Sequence, residues 1–371
     1  MIVGVPSEVK SDEYRVAMTP AGVRELVTQG HRVLIQHDAG VGSAITDSEY
    51  EAVGGTIVAT ADGVWAESEM ICKVKEPIEV EYGRLRSNQL LFTYLHLAAS
   101  RECTEALLKA GTTSIAYETV QLPDRSLPLL APMSEVAGRM APLVGSYHLM
   151  RPGGGSGVLV TGVPGVRAAN VVVLGAGVSG MAAATVAVGM HANVYILDKN
   201  LERLRQVDHH FRGALETIAS SAHAIEETCI DADLVIGAVL VVGAKAPKLV
   251  PDSLVAQMRP GSVLVDISVD QGGCFESTHP TTHSNPTFEV EGSIFYCVAN
   301  MPGAVPHTST HALANSTLPY VEALAGRGWR EAVRADPALA AGVSTVDGEL
   351  VSAPVAEAHD MQAVPLSRFL S

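Results

Sequence analysis

Hydrophobic positions in this chain come in two spacings. Short, almost wholly apolar runs occupy 2–5, 33–36, 70–74, 90–94 and 114–117 in the first third, and 171–174, 194–197, 215–219, 234–238, 263–267 and 294–298 further on. Runs of this kind predict strands buried on both faces, as in a parallel sheet. Between them apolar residues return at helical spacing. One helix is predicted over 20–29, with Thr19 as N-cap, Pro20 at the first position and Gly30 as the stop. Another spans 101–110 and ends at Gly111. Alternation of strand and helix predicts an α/β fold with a doubly wound, mostly parallel sheet.

Two longer helical patterns break this rhythm. The first covers 134–150, with Ser134 as its N-cap, and is followed by the glycine-rich stretch 151–157. The second covers 309–325, with Leu313, Leu318, Val321 and Leu324 near one face. A chain of 371 residues exceeds one ordinary core. The expectation is two Rossmann-like domains joined by long helices: residues 1–130 with 306–371, and residues 131–305.

Residues 170–198 carry the clearest chemistry. An apolar strand meets Gly175-Ala176-Gly177-Val178-Ser179-Gly180, an alanine-rich helical pattern covers 181–190, and a second strand closes on Asp198. In this arrangement Gly175 allows a tight turn, Gly177 lets backbone approach a pyrophosphate, and Gly180 lets helix and strand pack closely. The helix start offers unpaired N–H groups and a partial positive charge to the phosphates. Asp198 can accept hydrogen bonds from both ribose hydroxyls and would repel a 2′-phosphate, so the expected cofactor is NAD rather than NADP.

Composition narrows the class. The formal net charge of −15 disfavours nucleic acid and anionic membranes as partners, and no basic cluster offsets it. No apolar run reaches bilayer-spanning length. The opening MIVGVPSEVKSDEYR carries early acids and lacks the apolar core of a secretory signal. The five cysteines (Cys72, Cys103, Cys229, Cys274 and Cys297) are odd in number and show no CxxC spacing. They predict reduced, mostly buried thiols and a cytoplasmic location.

Several segments, in order along most of the chain, resemble the alanine dehydrogenase and pyridine nucleotide transhydrogenase family. They are Gly4-Val5-Pro6-Ser7-Glu8 with Glu13-Tyr14-Arg15-Val16-Ala17-Met18-Thr19-Pro20, then Lys73-Val74-Lys75-Glu76-Pro77 and 92–99 (FTYLHLAA). Segments 131–139 (APMSEVAGR), 265–273 (VDISVDQGG) and 296–302 (YCVANMP) continue the match. Length and ending favour the dehydrogenase branch. The resemblance implies the reaction L-alanine + NAD+ + water ⇌ pyruvate + NADH + ammonium + H+, an active site in a cleft between the two domains, and a homohexamer. Two rival readings are a soluble NAD-binding subunit of a transhydrogenase and a non-catalytic NAD(H) sensor.

The resemblance also implies roles for individual residues. Arg15 would clamp the substrate carboxylate through its two-pronged guanidinium; local sequence alone favours a surface arginine, and the surrounding signature reverses that. Lys75 would bind the carboxylate or keto oxygen; Lys73, two positions earlier, is the alternative on the same strand face. His96 would carry a proton from water or amine; the alternative is a core histidine with satisfied hydrogen bonds. Asp270 would be a second proton carrier, and otherwise a turn aspartate before Gly272-Gly273. Asp266, within the predicted strand, is read as structural.

Cofactor contacts implied in the same way are Ser134, Val178, Ser179, Ser220 and Arg203 around phosphates and adenosine. Val239, Leu240, Ile267, Ser268, Val269, Val298, Ala299, Asn300 and Met301 lie at or after three strand ends; for Val239, Leu240 and Met301 core packing is the alternative. The chain departs from the family pattern twice. Some members bind magnesium through a glutamate, matched by Glu118, and a histidine just before Gly-Trp; here Arg327 precedes Gly328-Trp329, and a cation cannot ligate magnesium. Position 279 is His279 where an arginine is expected to reach the cofactor. His209-His210 and His279/His283 lack further ligands and are read as surface residues, so no metal is predicted.

Overall fold

Two sheets form because the apolar runs find each other in parallel. The computed structural model describes residues 1–239 and 246–370. The chain divides into two units, residues 1–133 with 305–371 and residues 134–304.

The first unit holds β1 (Ile2–Val5), β2 (Arg32–Gln36), β3 (Thr56–Val58), β4 (Met70–Cys72), β5 (Leu90–Thr93) and β6 (Thr113–Ala116). Their order across the sheet is β3-β2-β1-β4-β5-β6, all parallel. The order reverses direction between β1 and β4, the switch point where open α/β sheets bind ligands beyond their carboxyl ends. A core of Val64, Trp65, Ile71, Leu91, Leu95 and Leu107 packs on this sheet.

The second unit begins with β7 (Asn170–Leu174), β8 (Asn193–Asp198), β9 (Glu216–Ala219), β10 (Leu234–Gly237) and β11 (Val263–Asp266). It is completed by β12 (Thr287–Val290) and β13 (Ser293–Tyr296). The order is β9-β8-β7-β10-β11-β13-β12, with β12 alone antiparallel. The switch point lies between β7 and β10. In the first unit β14 (Val343–Val346) runs antiparallel to β6 and carries β15 (Glu349–Leu350) at the sheet edge.

Helix ends follow their capping chemistry. The helix Pro20–Thr28 starts at Thr19, whose hydroxyl accepts the Gly22 N–H at 3.5 Å, and ends before Gly30 at φ +84°. Arg101–Ala110 is capped by Ser100, which accepts the Cys103 N–H at 3.3 Å, and by left-handed Gly111. Two helices differ from the sequence expectation at their starts. The helix expected over 134–150 is Ala131–Leu149. Pro132 fits its first turn, where a missing N–H costs nothing, so Ser134 lies inside the helix and is not its cap. The helix expected over 309–325 is Pro306–Arg327, with proline at its first position. Most strands are one or two residues shorter than their apolar runs. Among the described residues no helix is long and apolar enough to cross a membrane.

Candidate functional site

In the second unit the glycine turn lies at the carboxyl end of β7. Gly175 has φ +101°, and its N–H donates to Leu197 O at 2.7 Å. A Cβ there would meet Ala238 O at 2.7 Å, so the position demands glycine. A Cβ on Gly180 would collide with the Gly175 carbonyl. On Gly177 it would meet only Arg203 Nη1, at 3.6 Å. That side of the turn stays open to a ligand beside an arginine, which is what pyrophosphate approach requires. The helix begins at Val178, three residues earlier than its apolar pattern suggested. Ser179 and Gly180 therefore lie in its first turn, and no side chain caps it. Val178 points outward at 46% exposure.

Asp198 ends β8 and does two things. One oxygen accepts the Ala176 N–H of the glycine turn and the other accepts the Asn200 N–H, both at 2.8 Å. The acid thus holds the turn while remaining partly exposed. Its carbonyl accepts the Ser220 N–H at 3.0 Å, placing Ser220 alongside. Arg203, exposed, stands on the next helix, Leu201–Phe211, whose cap is Asn200.

The other expected cofactor residues divide by exposure. Val239 is half-buried and its carbonyl accepts the Ser268 hydroxyl at 2.7 Å. Leu240 lies outside the described residues. Ile267 N–H donates to Gly237 O at 2.9 Å, beyond the end of β11. Val269, Val298 and Met301 are buried, so only their backbone can face a ligand. Ala299 and Asn300 are half-buried. His283, read as a surface residue, is half-buried and its Nε2 donates to Asn300 O at 2.8 Å. His279 is exposed and stacks on Phe288 with ring centroids 3.8 Å apart.

Asp270 sits in the turn Val269–Gln271 with its side chain exposed. Asp266 contrasts with it. Fully buried, Asp266 accepts the Cys274 N–H at 2.8 Å, the Ser268 N–H at 2.9 Å and the Thr278 hydroxyl at 2.6 Å. Burial raises its carboxyl above the ordinary range, and these donors pull it only partly back. It ties the loop after β11 together.

In the first unit Lys75 and His96 follow closely on the carboxyl ends of β4 and β5, and Arg15 lies in the loop between β1 and the helix Pro20–Thr28. Arg15 is not a surface arginine. It is 3% exposed, and Glu13 accepts its Nε at 2.7 Å and its Nη2 at 2.5 Å. Burial works against Glu13's charge, but the guanidinium outweighs it and holds the Glu13 carboxyl below its ordinary value. Arg15 Nη1 touches Met133 Sδ at 3.0 Å.

Burial separates Lys73 from Lys75. Lys73 is fully enclosed and paired with Glu8 at 3.1 Å and Glu81 at 2.9 Å. Burial favours its neutral amine, yet the two carboxylates outweigh this and raise its pKa. Glu8, also enclosed, accepts the Val74 and Lys75 N–H groups at 2.6 and 3.3 Å. Burial raises the Glu8 carboxyl despite Lys73. Lys75 is half-buried, and its side chain has no salt-bridge partner among the described residues.

His96 does not close β5, which ends at Thr93. It sits beyond the strand at φ +47°, ψ +36°, half-buried, with Tyr94 stacked 5.9 Å away at 11°. Among the described residues its imidazole makes no hydrogen bond, unlike a satisfied core histidine. Glu118 accepts the His96 N–H at 2.6 Å. The residue pattern did not single out Glu8, Glu13 or Tyr94; all three lie within the matched segments, and only tertiary contact gives them meaning. Arg327, exposed at the end of its helix, offers no metal ligand.

A glycine turn, an acid ending the next strand and an open helix start make the second unit a dinucleotide-binding Rossmann unit, in a two-unit α/β protein. The sequence matches the alanine dehydrogenase/PNT N-terminal domain over residues 4–137 and the corresponding C-terminal domain over 141–353. It is 62% identical, over the whole of both chains, to an alanine dehydrogenase of Mycolicibacterium smegmatis. A solved L-alanine dehydrogenase superposes with TM-score 0.94 at 52% identity, covering 97% of this chain and 99% of that one. A transhydrogenase from Sinorhizobium meliloti superposes with TM-score 0.81 at 26% identity, covering 95% of this chain and 99% of that one. The chain belongs to the alanine dehydrogenase/PNT family.

Proposed function

We propose that this protein catalyses L-alanine + NAD+ + water ⇌ pyruvate + NADH + ammonium + H+. The observation that carries the reading is the set of Arg15, Lys75 and His96 in the segments that follow three neighbouring strands, in a chain similar over its full length to alanine dehydrogenases. The first unit is assigned the substrate and the second the dinucleotide.

The cofactor supplies hydride acceptance from the substrate Cα. Arg15, pre-aligned by Glu13, and Lys75 grip the carboxylate and fix the Cα–H direction. His96 takes the proton of the water that adds to the iminium and later returns one to the leaving amine. Asp270 serves the remaining proton transfer. Asp198, Ser134, Ser179, Ser220 and Arg203 hold the adenosine and phosphates.

The test is turnover of alanine with NAD+ followed at the NADH absorbance. His96→Ala is expected to lose nearly all turnover while still binding NADH; a variant that keeps its activity removes His96 from the mechanism.

A cytoplasmic location is part of the proposal, supported by five unpaired, buried cysteines. So is a homohexamer. It is supported by a row of exposed apolar residues on one helix face (Leu143 and Tyr147, at 55% and 54%) and in the following loop (Leu159, Val163 and Val166). Light scattering on the purified protein tests it.

A further inference from the structure

Glu118 has no part in the reaction above, yet its carboxylate is aimed at the segment that bears the proton carrier. It stands in the turn Tyr117–Thr119, directly after β6, the strand paired with β5. Both of its oxygens accept the Leu95 N–H at 3.2 Å, and one accepts the His96 N–H at 2.6 Å. Two successive amides converging on one anion form a nest, which a carboxylate fills with charge-assisted bonds.

The site needs such a clamp. Three residues after β5, the backbone enters the left-handed region at His96, where a side chain with a Cβ is rarely tolerated. Such a conformation persists only when surrounding contacts over-determine it. Glu118 supplies the backbone half of that constraint. Tyr94 supplies the other half: its ring lies nearly parallel to the imidazole, and its own hydroxyl is tied to Leu129 O at 2.5 Å.

We propose that Glu118 is a positioning residue, setting through the Leu95 and His96 amides the direction in which the His96 imidazole faces the substrate. The proposal rests on the reading of His96 as proton carrier. It assigns the Glu118 carboxylate to the polypeptide rather than to a cation.

Glu118→Ala, Glu118→Gln and His96→Ala of the full-length enzyme test it, with alanine and NAD+ as substrates. Misplacing a catalytic group by about an ångström costs on the order of 100-fold, so Glu118→Ala should lower kcat by roughly that factor, with the KM for alanine and the Kd for NADH little changed. Glu118→Gln keeps one carbonyl oxygen for the His96 amide and should recover at least about tenfold of the loss. Should Glu118→Ala fail to fold, Glu118→Asp decides: its shorter side chain withdraws the oxygens and should cut kcat at constant KM. Full activity in Glu118→Ala or Glu118→Asp overturns the proposal, as does a raised KM at unchanged kcat. So does a glutamine variant as inactive as the alanine one, or wild-type activity that is lost in EDTA and restored by magnesium. A turning-over His96→Ala variant would instead sink the reading of His96, independently of Glu118.

Discussion

Replacing Lys73 by methionine probes the buried charge cluster of the first unit. Lys73 is fully enclosed between Glu8 and Glu81, at 3.1 and 2.9 Å. Methionine fills similar space but removes the ammonium, leaving two enclosed carboxylates uncompensated. Removing one partner of a buried pair costs about 3–5 kcal/mol. For a unit of this size each kcal/mol moves the melting temperature by about 2–4 °C, so a fall of roughly 6–20 °C is expected. The loss should depend on pH. Burial already raises the Glu8 carboxyl above its ordinary value, and without the cation that pulls it down it rises further. A carboxyl whose folded pKa is raised binds more protons folded than unfolded. Its contribution to stability is therefore fully present below the unfolded pKa and lost as pH rises through the folded one. The deficit of Lys73→Met relative to wild type should be smaller at about pH 5 than at about pH 8. Melting followed by circular dichroism at both values measures it. A variant melting within a degree or two of wild type, or one whose deficit grows on acidification, would refute the reasoning.

Other outcomes are expected elsewhere. Asp198→Ala removes the acceptor proposed for the ribose and that of two backbone amides; at about 1.5–3 kcal/mol for bonds to a charged group, the KM for NAD+ should rise roughly 10- to 150-fold. The same variant should narrow the preference over NADP+, and an unchanged ratio would count against the assignment. Gly180→Ala forces a methyl onto the Gly175 carbonyl; it should lower stability by about 1–3 kcal/mol and weaken NADH binding in a fluorescence titration, and native affinity would contradict the close approach. Burial raises Cys72, Cys103, Cys229 and Cys297 to about 12 and Cys274 to about 11. A thiol reagent should thus find almost no reactive group in the native protein and five after denaturation; rapid labelling of the native protein would refute this.

How much was legible beforehand follows the range of the interactions. The glycine turn at 175–180 and Asp198 were readable because turn, helix start and acid lie within one βαβ unit, where spacing alone implies geometry. Capped helices such as Pro20–Thr28 were readable for the same reason. Edges were less so. The strands β3, β12, β14 and β15, at or next to the sheet edges, were not read from the apolar runs, and β12, β14 and β15 run antiparallel to their neighbours.

The residues proposed to bind substrate show the limit more sharply. Sequence presented Lys73 and Lys75 as equals on one strand face. Only the arrival of Glu8 from the loop after β1 and of Glu81 from the helix Glu79–Tyr82 buried one and spared the other. Glu13 became Arg15's partner through burial, which spacing of two residues does not imply. Glu118 reached the His96 amide across 22 residues because β5 and β6 pair in parallel. By itself the sequence determined the strand and helix alternation, the dinucleotide turn and the family, since those rest on contacts between near neighbours. Which lysine is enclosed, which carboxylate aligns Arg15 and what bends the chain at His96 were decided by the tertiary structure alone, because desolvation and hydrogen bonding act between groups that only folding brings together.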